Sequence, residues 1–236
     1  MWNRLYQLLF LLLILSGCSI LKPLDSVEGL DYPDPDSEIV SMLDAYRPGV
    51  DKLMGKPVAV VKDTLRFGQP EGALGNMAAD ALRYRAALEL RRFVHLGIIG
   101  EGSFKTYFIP GTLTLGDVYE FMPYENHLVI LELKGEKVIE LIDQVAAIGG
   151  APISGARFRI DENNRARGLL VNAEVVDPDK SYLVATSSWV ANGGDQFPAL
   201  WSPDSRMDVA LSVKDLYVDF FRGRSELFNE PDGRIR

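Results

Sequence analysis

Apolar and polar positions along this chain follow two periods, one helical and one alternating. Apolar residues at helical spacing predict helices over 37–46, 71–83, 136–148 and 213–221. Alternation or short apolar runs predict strands over 58–61, 93–99, 127–133, 157–160 and 168–176, and a further strand beginning near Leu183. Ser37 can cap the first helix, which we expect to end before Arg47-Pro48-Gly49 because proline and glycine interrupt helices. A one-turn helix containing Asp117 is expected after Thr114, which can cap it.

The stretch from Tyr182 to Pro198 changes character part of the way along. It begins as a strand and breaks at the cluster Asn192-Gly193-Gly194-Asp195, where glycines permit positive φ. Trp189 and Asp195 would suit a flat heterocycle, since the ring stacks and the carboxylate accepts N–H hydrogen bonds. The alternative is a hairpin corner in which Trp189 is a core anchor and Asp195 bonds to its own turn. Residue types alone favour that alternative, since most tryptophans are largely buried.

The first residues have the layout of an export signal. Arg4 is followed by an unbroken apolar run over Leu8–Leu15, which is too short to span a bilayer and fits a signal-peptide core. The run ends in Leu15-Ser16-Gly17-Cys18, which resembles the bacterial lipobox, whose cysteine is diacylated and becomes the mature N-terminus. We therefore predict a signal peptide over 1–17, a lipidated Cys18 with a flexible tether over 18–37, and one domain over 38–236.

Charge and cysteine content narrow the possible functions. The formal net charge is −8, and removal of residues 1–17 would take away one more positive charge, Arg4. An acidic domain lacks the basic face that phosphate backbones require, so we expect no nucleic-acid partner and membrane contact only through the anchor. Cys18 is the single cysteine. Its lipidation leaves none for disulfides or metal ligands.

Three motifs occur in a fixed order along the chain: Gly75-Asn-Met-Ala-Ala-Asp-Ala81, then Gly111-Thr-Leu-Thr-Leu-Gly-Asp117 leading to Pro123-Tyr-Glu-Asn126, then Trp189 followed by Gly193-Gly-Asp-Gln-Phe-Pro198. Together they resemble the C-terminal domain of 5'-nucleotidases, the substrate-binding half of bacterial 5'-nucleotidase/UDP-sugar hydrolases. The resemblance covers the chain from about residue 56 to the C-terminus. It implies an α+β (mixed α/β) fold, with a mixed sheet flanked by helices. The first motif alone would equally fit an ordinary alanine-rich amphipathic helix.

The resemblance also implies a ligand pocket. Tyr124 and Trp189 match the family's two base-stacking aromatics, Asn126 its polar contact to the ligand, and Gly150 a glycine whose backbone lines the base pocket. Asp195 belongs to the same glycine motif as Trp189. Without the resemblance, Tyr124 could be an ordinary turn tyrosine. Both aromatics could also preserve the fold after loss of the ligand.

One loop departs from the family pattern. The family usually has Asn-Gly-Gly-x-x-Arg where this chain has Gly100-Glu-Gly102-Ser-Phe-Lys105. The family's arginine reaches a phosphate or a linking group, and we expect Lys105 to make a single charge contact instead. Lysine is a point charge and cannot reproduce the bidentate fork of arginine. Phosphate recognition is therefore the weakest part of the implied function.

Catalytic metal ligands are missing from the sequence. A two-metal phosphoesterase site needs clustered histidines and carboxylates, whereas this chain has only His95 and His127, both in predicted strands. We expect no cofactor in this chain and divalent metals only in a separately encoded metallophosphoesterase. Three hypotheses follow: the substrate-binding part of a split periplasmic 5'-nucleotidase, a non-catalytic lipid-anchored module that binds a nucleoside or a protein, or a remnant with a closed pocket. The predicted location is the outer membrane, facing the periplasm.

Overall fold

The computed structural model describes residues 36–236. The predicted signal peptide, Cys18 and nearly all of the predicted tether lie outside the described residues. Pro48–Arg236 forms one compact unit, and that unit contains the site described below. The predicted domain start at residue 38 stays a prediction. No helix within 36–236 is both long enough and apolar enough to cross a membrane.

Helices and strands interleave along the described chain. The helices are α1 (Ser37–Met54), α2 (Ala73–Leu90), α3 (Leu115–Phe121), α4 (Gly135–Ala147), α5 (Ser188–Ala191) and α6 (Val213–Arg222). The strands are β1 (Pro57–Val61), β2 (Leu96–Ile98), β3 (Gly111–Thr114), β4 (His127–Lys134), β5 (Ile153–Ser154), β6 (Ala156–Ile160), β7 (Ala166–Val171), β8 (Glu174–Val175), β9 (Ser181–Ser187), β10 (Ser205–Ser212) and β11 (Glu226–Leu227). Single 3₁₀ turns occupy Glu101–Ser103, Gly194–Gln196 and Pro198–Leu200.

Some of the predicted element ends are wrong. Helix α1 does not stop before Arg47 but continues through Pro48 to Met54. An interior proline removes one N–H donor and its ring crowds the carbonyl of the preceding turn, which costs about 3 kcal/mol, but its fixed φ is helical and the helix continues through it. The predicted strand over 93–99 is only three residues long in the structure, Leu96–Ile98.

The helix predicted over 71–83 begins at Ala73 and reaches Leu90. It ends where Arg91 takes a left-handed conformation, with φ of 51°. Its alanines give it a narrow profile that suits close packing: a side chain on Gly97 of β2 would come within 2.4 Å of the Ala79 carbonyl oxygen. The alanine-rich motif thus brings helix and sheet backbones close together.

The central sheet has five strands in the order β10-β4-β9-β2-β5. Strand β4 runs antiparallel to both β10 and β9, whereas β2 runs parallel to β9, so the sheet is mixed. This confirms the predicted α+β (mixed α/β) class. Smaller sheets have the orders β11-β1-β3 and β6-β7-β8.

The β4–β9 pairing positions the candidate site. Its register places Leu128 opposite Ser187. The residues just before Leu128 therefore meet the residues just after Ser187, although about 60 positions separate them in the chain. Two loops that carry separate sequence motifs come together at this end of the sheet.

A buried aromatic cluster fixes the loops on the other side of the site. Phe104 and Phe121 stack with ring centroids 4.5 Å apart, and Tyr217 of α6 packs against both. Phe104 directly follows the 3₁₀ turn at Glu101–Ser103, and Phe121 closes α3 just before Tyr124. Burial of each ring stabilises the fold by on the order of 1.5–3 kcal/mol relative to an exposed ring, so both loops are anchored on the core.

Candidate functional site

Trp189 is carried by α5, a single helical turn at the end of β9. Ser187 caps this turn, since its Oγ accepts a hydrogen bond from the backbone N–H of Val190 at 3.3 Å. The turn ends at Asn192, whose N–H bonds to the carbonyl oxygens of Ser188 and Trp189. The Trp189 residue is 55% exposed. The alternative in which Trp189 is a buried core anchor is therefore wrong.

Two glycines directly after this turn determine where the indole lies. Gly193 has φ of 100°, a left-handed value that favours glycine. A Cβ added to Gly194 would lie 2.2 Å from Nε1 of Trp189, so the indole lies directly against the Gly194 backbone. The Gly-Gly pair thus allows both the reversal of the chain and the seating of the ring.

The Asp195 carboxylate contacts the loop that follows β2. Ser103 Oγ donates a hydrogen bond to Oδ2 of Asp195 at 3.3 Å. Burial raises the pKa of the Asp195 carboxyl above its ordinary value, while hydrogen bonds from Ser103 and the Gly100 backbone lower it. The alternative in which Asp195 bonds to its own turn is wrong, since its carboxylate accepts from Ser103 and from the Gly100 backbone.

This contact accounts for the glycine at position 100, where the family pattern has asparagine. A Cβ on Gly100 would lie 2.1 Å from Cγ of Asp195, and one on Gly102 would lie 2.7 Å from Oδ1. Both positions lie directly against the carboxylate. In this chain, a side chain at position 100 would displace Asp195.

Tyr124 lies in the segment between α3 and β4 and is 41% exposed. Lys105 Nζ lies 5.2 Å from the centroid of its ring, within range of a cation–π interaction. The backbone N–H of Lys105 also donates to the Phe121 carbonyl oxygen at 3.1 Å, which ties the two loops together. Lys105 therefore adjoins the exposed aromatic ring.

Asn126 and Trp189 are linked through Ser188. Ser188 Oγ donates to Oδ1 of Asn126 at 3.1 Å and accepts from the backbone N–H of His127 at 3.2 Å. The Asn126 carbonyl oxygen accepts from the Val213 N–H at 2.8 Å, so the start of α6 holds the same segment. The residue next to Trp189 thus fixes the Asn126 side chain.

These elements enclose a cavity of about 360 Å³, here called the aromatic slot. Its lining residues are Gly102, Ser103, Tyr124, Glu125, Asn126 and Trp189. Three of the sequence-predicted site residues, Tyr124, Asn126 and Trp189, therefore meet in one place. The slot offers two aromatic side chains together with an amide, a hydroxyl and the Glu125 carboxylate, which is suitable chemistry for a flat, polar-edged ligand.

The other predicted site residues occupy different positions. Asp195 is joined to the slot through Ser103, and Lys105 adjoins it through Tyr124. Gly150 does not line the slot: with φ of 119°, it lies against Pro70, whose carbonyl oxygen would be 2.0 Å from an added Cβ. Glycine is therefore required at position 150 because a side chain there would clash with Pro70.

Sequence reasoning missed a charged residue in the slot lining, Glu125, and its buried partner Lys214. Glu125 lines the slot and forms an ion pair with Lys214, the second residue of α6. The Lys214 side chain is only 10% exposed, and its Nζ lies 5.3 Å from the Tyr119 ring centroid. Glu125 could have been found from its place between Tyr124 and Asn126. Lys214 could not, because 89 positions separate it from its partner.

Both histidines have structural contacts. His95 Nδ1 accepts the backbone N–H of Leu183 at 3.0 Å, and burial together with nearby Arg83 and Arg92 lowers the pKa of His95. His127 Nε2 lies 2.7 Å from Oδ1 of Asp208. Within residues 36–236, no three histidine, cysteine or acidic side chains are grouped so as to hold a metal ion.

The side chains that line the aromatic slot distinguish it from two larger cavities. One of about 740 Å³ beside α4 has no aromatic side chain in its lining. Another of about 620 Å³ beside His95 includes Phe93 and Tyr182, but Tyr182 is only 8% exposed. Among these three cavities, the slot alone has an exposed tyrosine and an exposed tryptophan in its lining.

Comparison with known proteins finds similar sequences among 5'-nucleotidases. NAD 5'-nucleotidase of Haemophilus influenzae is 27% identical over 205 residues, which is 75% of this chain and 34% of that protein. Protein UshA of Escherichia coli is 28% identical over 183 residues, or 74% of this chain and 32% of that protein. The chain thus spans about a third of the length of these relatives.

Among solved structures, the 5'-nucleotidase precursor of Thermus thermophilus superimposes with a TM-score of 0.70 at 24% identity. The match covers 86% of this chain and 43% of that one. A family model described as 5'-nucleotidase, C-terminal domain, matches residues 57–201, the region that contains every residue lining the aromatic slot. The chain therefore belongs to the 5'-nucleotidase C-terminal domain family.

Proposed function

We propose that the aromatic slot binds the base of a nucleoside or nucleotide, and that the chain is the substrate-binding part of a split periplasmic 5'-nucleotidase. The observation that carries this proposal is the meeting of Tyr124, Asn126 and Trp189 around one cavity. A base that stacks on exposed aromatic rings gains about 1–3 kcal/mol per contact. Both rings are about half exposed.

In this proposal the catalytic metals belong to a separate metallophosphoesterase. The chain would present the bound nucleotide to that partner, and a shared membrane surface would raise the effective concentration of the two proteins. A lipid anchor at Cys18 and a periplasmic location belong to the same proposal. The observations in its favour are the family membership and the lipobox-like sequence around Cys18.

One observation favours a second candidate, a lipid-anchored nucleoside-binding module without a catalytic partner. Lys105 stands where the family pattern has arginine, and its ammonium lies over the Tyr124 ring. A lysine in this place contributes one charge contact and no bidentate phosphate clamp. Recognition of the base could then persist with only weak recognition of the phosphate.

Tryptophan fluorescence of the purified full-length protein tests base binding. We expect saturable quenching by adenosine or AMP, and Trp189→Ala should abolish the signal and weaken binding about tenfold or more. Trp201→Ala is the matched control, since Trp201 is equally exposed, at 54%, but does not line the slot. A folded wild-type protein that responds to neither adenosine, AMP nor a UDP-sugar would overturn the proposal.

Phosphate release tests the split enzyme. Adding the wild-type chain to a periplasmic extract of its own host should raise AMP hydrolysis, whereas the Trp189→Ala variant should not. Tighter binding of AMP than adenosine, lost in Lys105→Met, would support a phosphate contact. If hydrolysis is the same with both chains while base binding stands, the second candidate replaces the first.

A further inference from the structure

Ser188 determines which end of the Asn126 amide faces its hydroxyl. The backbone N–H of His127 lies 3.2 Å from Ser188 Oγ. A backbone N–H can only donate, so the oxygen of Ser188 is the acceptor of that bond. The hydroxyl hydrogen remains for a second bond, and Asn126 Oδ1 lies 3.1 Å away to receive it.

The opposite orientation of the amide would be unfavourable. If the Asn126 nitrogen faced Ser188, the hydroxyl hydrogen would lose this acceptor. Ser188 is only 6% exposed, so water is a poor replacement. A buried polar group without a partner bears the full desolvation penalty. The hydrogen-bond network therefore fixes Asn126 with its oxygen toward Ser188.

The amide nitrogen is consequently the free end of Asn126. Within residues 36–236, Nδ2 of Asn126 has no acceptor at hydrogen-bonding distance, although its two N–H groups are strong donors. Asn126 also lines the aromatic slot. The edge of the slot at Asn126 thus offers donors rather than acceptors.

We propose that Ser188 is a specificity-determining residue of the aromatic slot, because it turns Asn126 into a donor and so selects heterocycles that carry an acceptor atom on the facing edge. This inference rests on the proposed binding of a base in the slot. It adds that the edge of the base facing Asn126 must carry a hydrogen-bond acceptor. Bases with a ring nitrogen or carbonyl oxygen at that edge are accepted. Analogues with a C–H group in the same place are disfavoured.

Deaza analogues test the polarity directly. In 1-, 3- and 7-deazaadenosine one ring nitrogen is replaced by C–H, which preserves the flat shape used for stacking. Titrating the full-length protein with adenosine and these three analogues should show one analogue bound about tenfold more weakly than the others, the effect of one lost hydrogen bond. Isothermal calorimetry gives the dissociation constants without relying on tryptophan emission.

Two variants assign the effect to the Ser188–Asn126 pair. Ser188→Ala releases the amide to rotate, so the difference between adenosine and the weak analogue should fall below about threefold. Asn126→Asp replaces the donor by a carboxylate oxygen, so adenosine should lose its advantage altogether. Ser205→Ala is the matched control, because Ser205 also donates a side-chain hydrogen bond, to the Glu132 carboxylate at 3.0 Å, but its partner Glu132 does not line the slot.

The outcomes separate this inference from the proposed function. A wild-type protein that binds no nucleoside overturns base binding itself. If it binds adenosine and all three analogues equally, the slot stands and the donor edge is refuted. Discrimination that persists in Ser188→Ala refutes the role of Ser188. Should Ser188→Ala fail to fold, Asn126→Asp decides, since retained discrimination there also refutes the inference.

Discussion

Replacing Arg234 by methionine removes a buried guanidinium that holds the C-terminal segment on the domain. The side chain is 10% exposed and bonds to both oxygens of Asp80, at 2.9 and 3.1 Å. It also donates to the Ile153 carbonyl oxygen at 2.8 Å and twice to Asp232, each time at 2.9 Å. Methionine keeps the apolar stem and loses all of these bonds.

The size of the effect follows from the exposure of the partners. Removing one member of a buried ion pair costs about 3–5 kcal/mol when the remaining charge is fully buried. Here the Asp80 and Asp232 side chains are 36% and 45% exposed, so water partly replaces the guanidinium. We therefore expect Arg234→Met to lower the free energy of unfolding by about 2–3 kcal/mol. The matching fall in Tm is roughly 4–12 °C.

Low pH should reduce the difference in the free energy of unfolding between wild type and Arg234→Met. Hydrogen bonding to Arg234 holds the pKa of Asp232 below its ordinary value. A lowered carboxyl pKa stabilises the fold above the unfolded value of about 3.9, and this stabilisation is lost as the pH falls through the folded value. The gap between wild type and Arg234→Met should therefore be constant above about pH 5 and shrink below about pH 4.

Urea unfolding followed by circular dichroism, at several pH values, measures both effects. Arg236→Met is the matched control, because Arg236 is exposed and its guanidinium bonds only to the Gly233 carbonyl oxygen among the described residues. That variant should stay within about 0.5 kcal/mol of wild type. Equal stability of Arg234→Met and wild type would refute the reasoning, as would equal losses in both variants.

Three further predictions follow. Ala173→Gly should raise stability by about 0.5–1 kcal/mol, because Ala173 has φ of 68°, strained for alanine; an unchanged or lower urea midpoint contradicts this. Gly194→Ala should displace the Trp189 indole and weaken adenosine binding about tenfold or more, whereas Gly49→Ala, with no atom within 4 Å of its new Cβ, should not; fluorescence titration decides. Cys18→Ser should move the protein from the membrane fraction to the soluble fraction, and retention at the membrane argues against a lipid anchor there.

For the alanine-rich motif, the sequence predicts the helix, but only the structure explains the polar residues around it. Its apolar spacing predicted a helix, and the structure confirms one at Ala73–Leu90. The reason for its Asp80, and for Glu71 just before the motif, lies in the C-terminal segment around Arg234. Glu71 accepts from the N–H groups of Gly233 and Arg234 at 2.6 and 3.1 Å, while Asp80 pairs with Arg234. Contacts across more than 150 positions leave no periodic signal in the sequence.

The sequence by itself determined the elements whose causes are local. Thr114 and Asp117 form a capping box with each other, so the predicted one-turn helix is confirmed. The helices predicted over 136–148 and 213–221 are found at Gly135–Ala147 and Val213–Arg222. Each of these helices has apolar residues three or four positions apart. This pattern is local, so it can be recognised from the sequence alone.

Only the tertiary structure decided how the site is assembled. Residue types favoured a buried Trp189, yet Gly194 and the short helix α5 leave it half exposed. The partner of Asp195 is Ser103, and the residue that orients Asn126 is Ser188. These relations depend on the β4–β9 register and on burial of the Phe104–Phe121 stack. The packing of the whole domain decides which polar groups are buried and which of them meet. A buried polar group needs a hydrogen-bond partner, because without one it bears the full cost of losing water, and that partner can lie far away in the chain.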